Sequence, residues 1–250
     1  MVDELLATVV MVIQLQAGQP VGSATGFFYS HGREIFLVTN RHVVIDEKAG
    51  HKPDSLRLKL HRATSAPGRG VNHDIPLYKG SSPAWISHPK YPNPPVDVVV
   101  IPLERKAILE GHFLVALSSA NFLPSDLSLS TGEDVMAIGF PRGLSDHEHN
   151  LPIARNAMIA SAFGVPFQGN PHFLIDANMH PGMSGSPVFT RQKSLWRVKS
   201  GGTAMMAGEQ TFLLGVHSAT LGVKLPTGEE PLGLGTVWEA QVIEDIIEAR

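Results

Sequence analysis

Three short stretches of this 250-residue chain hold residue types that can do chemistry. In FLVTNRHVV, residues 36–44, an apolar strand pattern delivers His42 just past its polar end. An imidazole so placed can take and return a proton around neutral pH, since its unperturbed pKa lies near ~6.5. In PPVDVVVIPL, residues 94–103, Asp97 interrupts what otherwise reads as a buried strand. A carboxylate there needs a partner, because burying it bare is costly. In HPGMSGSPVF, residues 180–189, glycines and prolines surround Ser184. A glycine two positions before a serine lets the turn aim both its own amide and that of the serine at an oxygen that becomes negative during acyl transfer. Gly182 and Ser184 supply that pair of N–H groups. Taken singly, each stretch also fits a plainer reading: one of twelve histidines, a strand-edge aspartate, an ordinary hairpin loop. The Gly-x-Ser-x-Gly motif of a strand-to-helix nucleophile turn is excluded, since its fifth position is Ser186 and an apolar strand pattern follows.

The elements that must position these residues read as short strands. Apolar segments such as Thr8–Gln16, Ser23–Ser30, Glu34–Val38, Leu56–His61, Asp97–Leu103, Asp134–Phe140, Phe173–Asp176, Ser186–Thr190 and Thr211–Ser218 are bounded by Gly, Pro, Asn and Asp. This is an all-β signature, and 24 glycines and 19 prolines suit the tight turns of a barrel or sandwich. Helical spacing is clear only at the C-terminal end, where Trp238, Val242, Ile243, Ile246 and Ile247 form one apolar stripe. The turn-rich stretch Leu117–Asp134 reads as a connection between two halves.

Composition narrows the chemistry. With 43% hydrophobic residues the chain can bury a substantial core. A formal net charge of -3 with 17% charged residues gives no nucleic-acid footprint and no basic membrane-seeking face. The absence of cysteine excludes disulfides, thiolate metal sites and a cysteine nucleophile together. Asp3 and Glu4 precede the first apolar run without a basic leader, which predicts a cytoplasmic protein and not a secreted one. In DHEH, residues 146–149, His147 and His149 are spaced to share one face of a strand, but no further ligand stands nearby, so a solvated loop is expected and no metal or other cofactor.

The order His42, Asp97, Ser184, set in TNRHVV, DVVVIPL and GMSGSPVF, resembles the trypsin-like (chymotrypsin-fold) serine proteases. The likeness is greatest to the bacterial disulfide-free branch that includes the high-temperature-requirement proteases and the glutamyl endopeptidases. SATGFFYS, VMAIGFPRG, LLGVHSATLG and GTVWEAQVIEDII extend the match over roughly residues 8–250. The resemblance implies two six-stranded antiparallel β-barrels with a C-terminal α-helix, residues 1–117 carrying His42 and Asp97 and residues 118–250 carrying Ser184, the specificity pocket and the helix. It implies that Ser184 attacks a peptide carbonyl, that His42 accepts and returns the proton, and that Asp97 fixes the imidazole. Gly182 and Ser184 would form the oxyanion hole, with Ser218 beside Asp97 and Thr39 as a further donor behind them. His217 and Thr220 match pocket positions that contact the substrate side chain, which predicts cutting after Glu, with Gln or Asp as lesser choices. An ordinary core histidine is the plainer reading of His217.

One departure stands out. In secreted trypsins the residue before the nucleophile is an aspartate that pairs with a new N-terminus, and here it is Met183. Control would then come from a regulatory protein partner or from loop rearrangement, and the segments Lys199–Gln210 and Arg142–Asn156 are the candidate loops. Two function classes follow: an endopeptidase acting on protein or peptide substrates, without nucleic acid or membrane, or a catalytically idle protein-binding module on the same fold.

Overall fold

The computed structural model describes residues 4–62, 70–146, 148–225 and 228–250. The mostly-β, barrel-containing fold read from the sequence is what it shows. Strands between residues 9 and 113 form an eight-stranded antiparallel sheet. Its order is His112–Phe113, Ser55–Arg62, Val9–Gln16, Gln19–His31, Glu34–Thr39, Val99–Leu103, Ile86–Ser87, and Val71–Pro76 also pairs with Ser55–Arg62. Asp134–Gly139, Ile153–Ile159, His172–Asp176, Gly228–Glu239, Leu213–Leu225 and Pro187–Thr190 close a six-stranded barrel in that order. A three-stranded sheet of Leu127–Ser128, Lys193–Val198 and Thr203–Gln210 stands beside it.

Alternation along the strands explains how one sheet serves two cores. Side chains of successive strand residues point to opposite faces. Val10, Val12, Phe28, Leu37, Val99 and Ile101 therefore turn into one cluster with Leu56 and Leu58, inside the first half. Their neighbours Val9, Met11, Phe27, Tyr29, Phe36, Val38, Val98 and Val100 turn the other way and meet Phe140, Phe189, Leu213 and Trp238 of the second half. Both faces are dry, so these strands read as continuous apolar runs and not as alternating ones. The barrel interior holds Val135, Ile159, Phe173, Ile175, Val188 and Val237.

The C-terminal helix Gln241–Glu248 places Val242, Ile243, Ile246 and Ile247 in the cluster between the halves. Burial of each such side chain is worth about 2 kcal/mol relative to exposure. Its Glu244, only 6% exposed, accepts hydrogen bonds from the Tyr29 hydroxyl and, at 2.7 Å, from His31 Nδ1. Burial, the hydrogen bond to Glu244 and its charge all push the Tyr29 pKa upward. The last helix of the chain is thereby fastened to the first sheet.

Some expectations for individual elements need correction. Trp238 belongs to the strand Gly228–Glu239 and not to the helix, which begins at Gln241. The resemblance places a last strand at GTVWEA, but its earlier part from Gly228 is not among the apolar segments because Gly228, Pro231, Gly233 and Gly235 punctuate it. Lys199–Gln210 is mostly not a loop: Thr203–Gln210 pairs with Lys193–Val198, with the exposed Leu195 and Met205 opposite each other. No helix among the described residues is long and apolar enough to cross a membrane.

Candidate active site

His42 lies on the one-turn helix Arg41–Val44, directly after the strand Glu34–Thr39, and Asp97 lies just ahead of Val99–Leu103, the strand paired with Glu34–Thr39. Adjacent strands thus deliver two residues 55 positions apart to one place. His42 Nδ1 donates to Asp97 Oδ2 at 2.6 Å, and the His42 backbone N–H donates to Oδ1 at 2.9 Å. Ser218 Oγ adds a third donor, 2.6 Å from Oδ2, and Asn40 Nδ2 holds the Asp97 carbonyl at 2.7 Å. An ionised carboxylate only accepts, so the Nδ1 proton sits between the two groups and neutral His42 keeps its Nε2 lone pair free. Burial pulls the His42 pKa down, but the Asp97 hydrogen bond and charge, aided by the charge of Asp46, more than offset it, and the net shift is upward.

Ser184 reaches the same cleft from the other half, in a turn made by backbone shape. Gly182 and Gly185 have φ of 93° and 86°, the left-handed region that side chains rarely enter. Space forbids a side chain as well: a Cβ on Gly182 would stand 2.4 Å from the Phe140 carbonyl, and one on Gly185 would stand 2.1 Å from the Thr25 carbonyl. The N–H groups of Gly182 and Ser184 make no hydrogen bond within the described residues, so both remain available to a ligand oxygen. Met183 is wholly buried. The Ser184 hydroxyl donates to the Ser218 carbonyl at 3.2 Å and forms no hydrogen bond with His42.

A residue that sequence reasoning passed over ties this turn to the first sheet. The Thr25 N–H donates to the Ser184 carbonyl at 2.9 Å, and its hydroxyl donates to the Gly182 carbonyl at 2.7 Å while accepting from Phe140 N–H at 3.0 Å. Thr39 makes no hydrogen bond to Asp97; its hydroxyl donates to the Thr25 carbonyl at 2.8 Å. The available signal was weak: Thr25 is the one polar residue among the buried positions Ala24–Tyr29 of its strand.

A cleft of about 710 Å³ runs from His42 and Ser184 to His217, Ser218, Ala219 and Thr220, with Ala177–Pro181 opposite. The register between Leu213–Leu225 and Gly228–Glu239 slips between His217 and Thr220, so Ser218 and Ala219 lie outside the ladder. His217 is 2% exposed, its Nδ1 has no hydrogen-bond partner among the described residues, and burial lowers its pKa to about 4 against a smaller opposing effect of the Thr236 backbone. It is neutral at neutral pH. His149 bonds Asp146 at 2.9 Å, His147 lies outside the described residues, and no group of metal-ligating side chains occurs among the described ones.

The profile of the trypsin-like peptidase domain matches residues 24–196, a span that contains Thr25, His42, Asp97, Gly182 and Ser184. The chain belongs to the trypsin-like peptidase family. It carries that family's domain on a chymotrypsin-like fold without cysteines. Among solved structures it is similar to an HtrA-type protease with a tripeptide, at 15% identity and a TM-score of 0.54, over 98% of this chain and 60% of that one. It is also similar to a serine endoprotease from Yersinia pestis, at 15% identity and a TM-score of 0.53, over 100% of this chain and 66% of that one. The chain therefore spans less than two thirds of either structure, and at these identities the likeness concerns fold alone. No curated protein matches the peptidase in sequence. His217, Ser218 and Thr220 of the peptidase lie beyond the span that the domain profile covers.

Proposed function

We propose that the protein is a serine endopeptidase working through an acyl-enzyme, with Ser184 as nucleophile, His42 as general base and acid, and Asp97 as the group that orients His42. Ser184 Oγ bonds the scissile carbonyl carbon, and its proton passes to His42 Nε2. The C–N bond then breaks as that proton moves to the leaving amine, and water releases the acyl group by the same route. Gly182 and Ser184 N–H hold the oxygen that becomes negative. The single observation carrying this reading is the His42–Asp97 pair, 2.6 Å apart, opening on the same cleft as Ser184. Before reaction the serine hydroxyl must leave the Ser218 carbonyl and donate to His42.

That resting hydroxyl also favours a second reading, the idle binding module. A fluorophosphonate probe separates the two: covalent label on Ser184 of the folded protein, lost in Ser184→Ala, is expected for the enzyme. Failure to label would leave the binding module.

The substrates we propose are proteins or peptides in the cytoplasm, cut after Glu and less readily after Gln or Asp. The place of His217 in the cleft wall supports this, with Thr220 as a neighbouring hydroxyl. Since His217 is neutral when the cleft is empty, a docked carboxylate would have to draw a proton onto it. Selection of Glu over Gln should accordingly strengthen as pH falls from about 8 to about 6. A His217→Ala variant should lose most of that preference in peptide-library digestion. Control by a separate protein is supported by the Arg142–Asn156 segment, whose Arg142 N–H donates to the Pro181 carbonyl at 2.6 Å, next to Gly182.

A further inference from the structure

We propose that Asp46 selects a basic residue on the amine side of the cut, so that the preferred bond is followed by Lys or Arg. This rests on the endopeptidase reading and adds to it a requirement on the half of the substrate that leaves first.

A peptide held over Ser184 must extend both ways. Its acyl half has the recess with His217 and the unladdered backbone of Ser218 and Ala219. The opposite direction leads past Gly182 into a second recess of about 500 Å³, lined by Gln14, Ser23, Ala49 and His51. The two recesses share His42, Asp46, Pro181 and Ser184, so Asp46 stands where the leaving half of the chain begins. It is half-buried, and its charge is felt by His42.

The other carboxylates in this wall are already engaged. Asp97 holds His42 and Ser218. Glu47 is taken bidentately by Arg41 at 2.6 and 2.9 Å. Asp46 uses only Oδ1, accepting the backbone N–H groups of Lys48 and Ala49 at 3.1 Å each. Its Oδ2 accepts no hydrogen bond and no ammonium or guanidinium among the described residues pairs with it, the Lys48 side chain included. The remaining titratable linings of this recess are the imidazoles His42 and His51, and Gln14 Nε2 donates at 2.9 Å to the His51 ring nitrogen Nε2, which must then be an unprotonated acceptor. A half-buried carboxylate with a vacant oxygen beside the scissile bond suits a Lys or Arg side chain and opposes Glu or Asp.

The test uses labelled decapeptides that differ only in Lys, Ala or Glu after the expected cut, each made with Glu or Ala before it. Binding is measured to Ser184→Ala protein and to the same protein carrying Asp46→Asn, which keeps the turn acceptor and removes the charge. Cleavage is measured with the chain unaltered at Ser184, with and without Asp46→Asn, as the Lys-to-Ala ratio of kcat/KM within each enzyme, so that changes in His42 cancel. The Lys peptides are expected to bind about threefold to fivefold tighter than the Ala peptides, with Glu weakest, and Asp46→Asn should bring all three together. Equal affinities, or an order unmoved by Asp46→Asn, overturn the proposal, even if cleavage proceeds. Ordered affinities without cleavage uphold the charge selection and overturn the catalytic reading instead.

Discussion

His42 and Asp97 come from one wall of the cleft and are fixed by side-chain hydrogen bonds, whereas Ser184 comes from the other wall and is fixed by the shape of its own backbone. The carboxylate of the first wall has three donors, two of them side chains, and one of these, Ser218, reaches it from the half that carries Ser184. The second has two glycines at positive φ and a turn whose carbonyls are gripped by Thr25 from across the cleft. A side-chain network tolerates backbone adjustment but fails when one group changes its chemistry. A backbone-shaped turn tolerates little added volume, yet exposes amides that no neighbour uses. The two walls should therefore respond to different kinds of mutation.

The largest separation is expected from Asp97→Asn, which retains shape but reverses the hydrogen-bond logic at His42 Nδ1. Peptide turnover should drop by about 10⁴-fold in kcat/KM. Thermal stability should change far less, and comparable losses in both would erase the contrast between the walls. The pH profile sharpens the same point. Protonated His42 cannot act as base, so kcat/KM should rise with pH through its elevated pKa, and removing the Asp97 charge should move that limb to lower pH.

Gly185→Ala is the reciprocal test. Its methyl group meets the Thr25 carbonyl and demands an unfavourable φ, so a stability loss of about 3 kcal/mol is expected in denaturant unfolding, with activity falling because Ser184 moves. Thr25→Val is smaller. It preserves volume but strips partners from the buried Gly182 carbonyl and Phe140 N–H, at about 1–3 kcal/mol. Ser218→Ala should be mildest, removing one of several donors to Asp97 for about a tenfold loss in kcat/KM, or ~1.4 kcal/mol. An effect of Ser218→Ala exceeding that of Gly185→Ala would mean that the first wall, too, depends on a single support.

What could be read from the sequence follows the same division. His42, Asp97 and Ser184 stood out because each is a polar group placed against a strong apolar strand signal, and the strands beneath them, such as Glu34–Thr39 and Val99–Leu103, were visible for the same reason. Thr25 was passed over because a threonine within a strand looks ordinary until the opposite wall is known. The long hairpin Leu213–Leu225 with Gly228–Glu239 was only half legible, since its second arm carries turn residues within a paired strand. The slip at Ser218 and Ala219 is a property of two strands together and leaves no mark in either one. Asp46 resembled any turn aspartate, and its place at the junction of two recesses emerges only from the assembled cleft.

The grip of Glu244 on Tyr29 and His31 has a consequence for synthesis of the protein. A nascent chain can pair Val9–Gln16 with Gln19–His31 early, but the apolar surface of Phe36, Val98 and Val100 is not fully covered until residues 241–248 have been translated. The ribosome thus delivers the stretches bearing His42, Asp97 and Ser184 well before the helix that closes over that surface, and a chain stalled short of it would emerge as a sticky intermediate instead of a compact one.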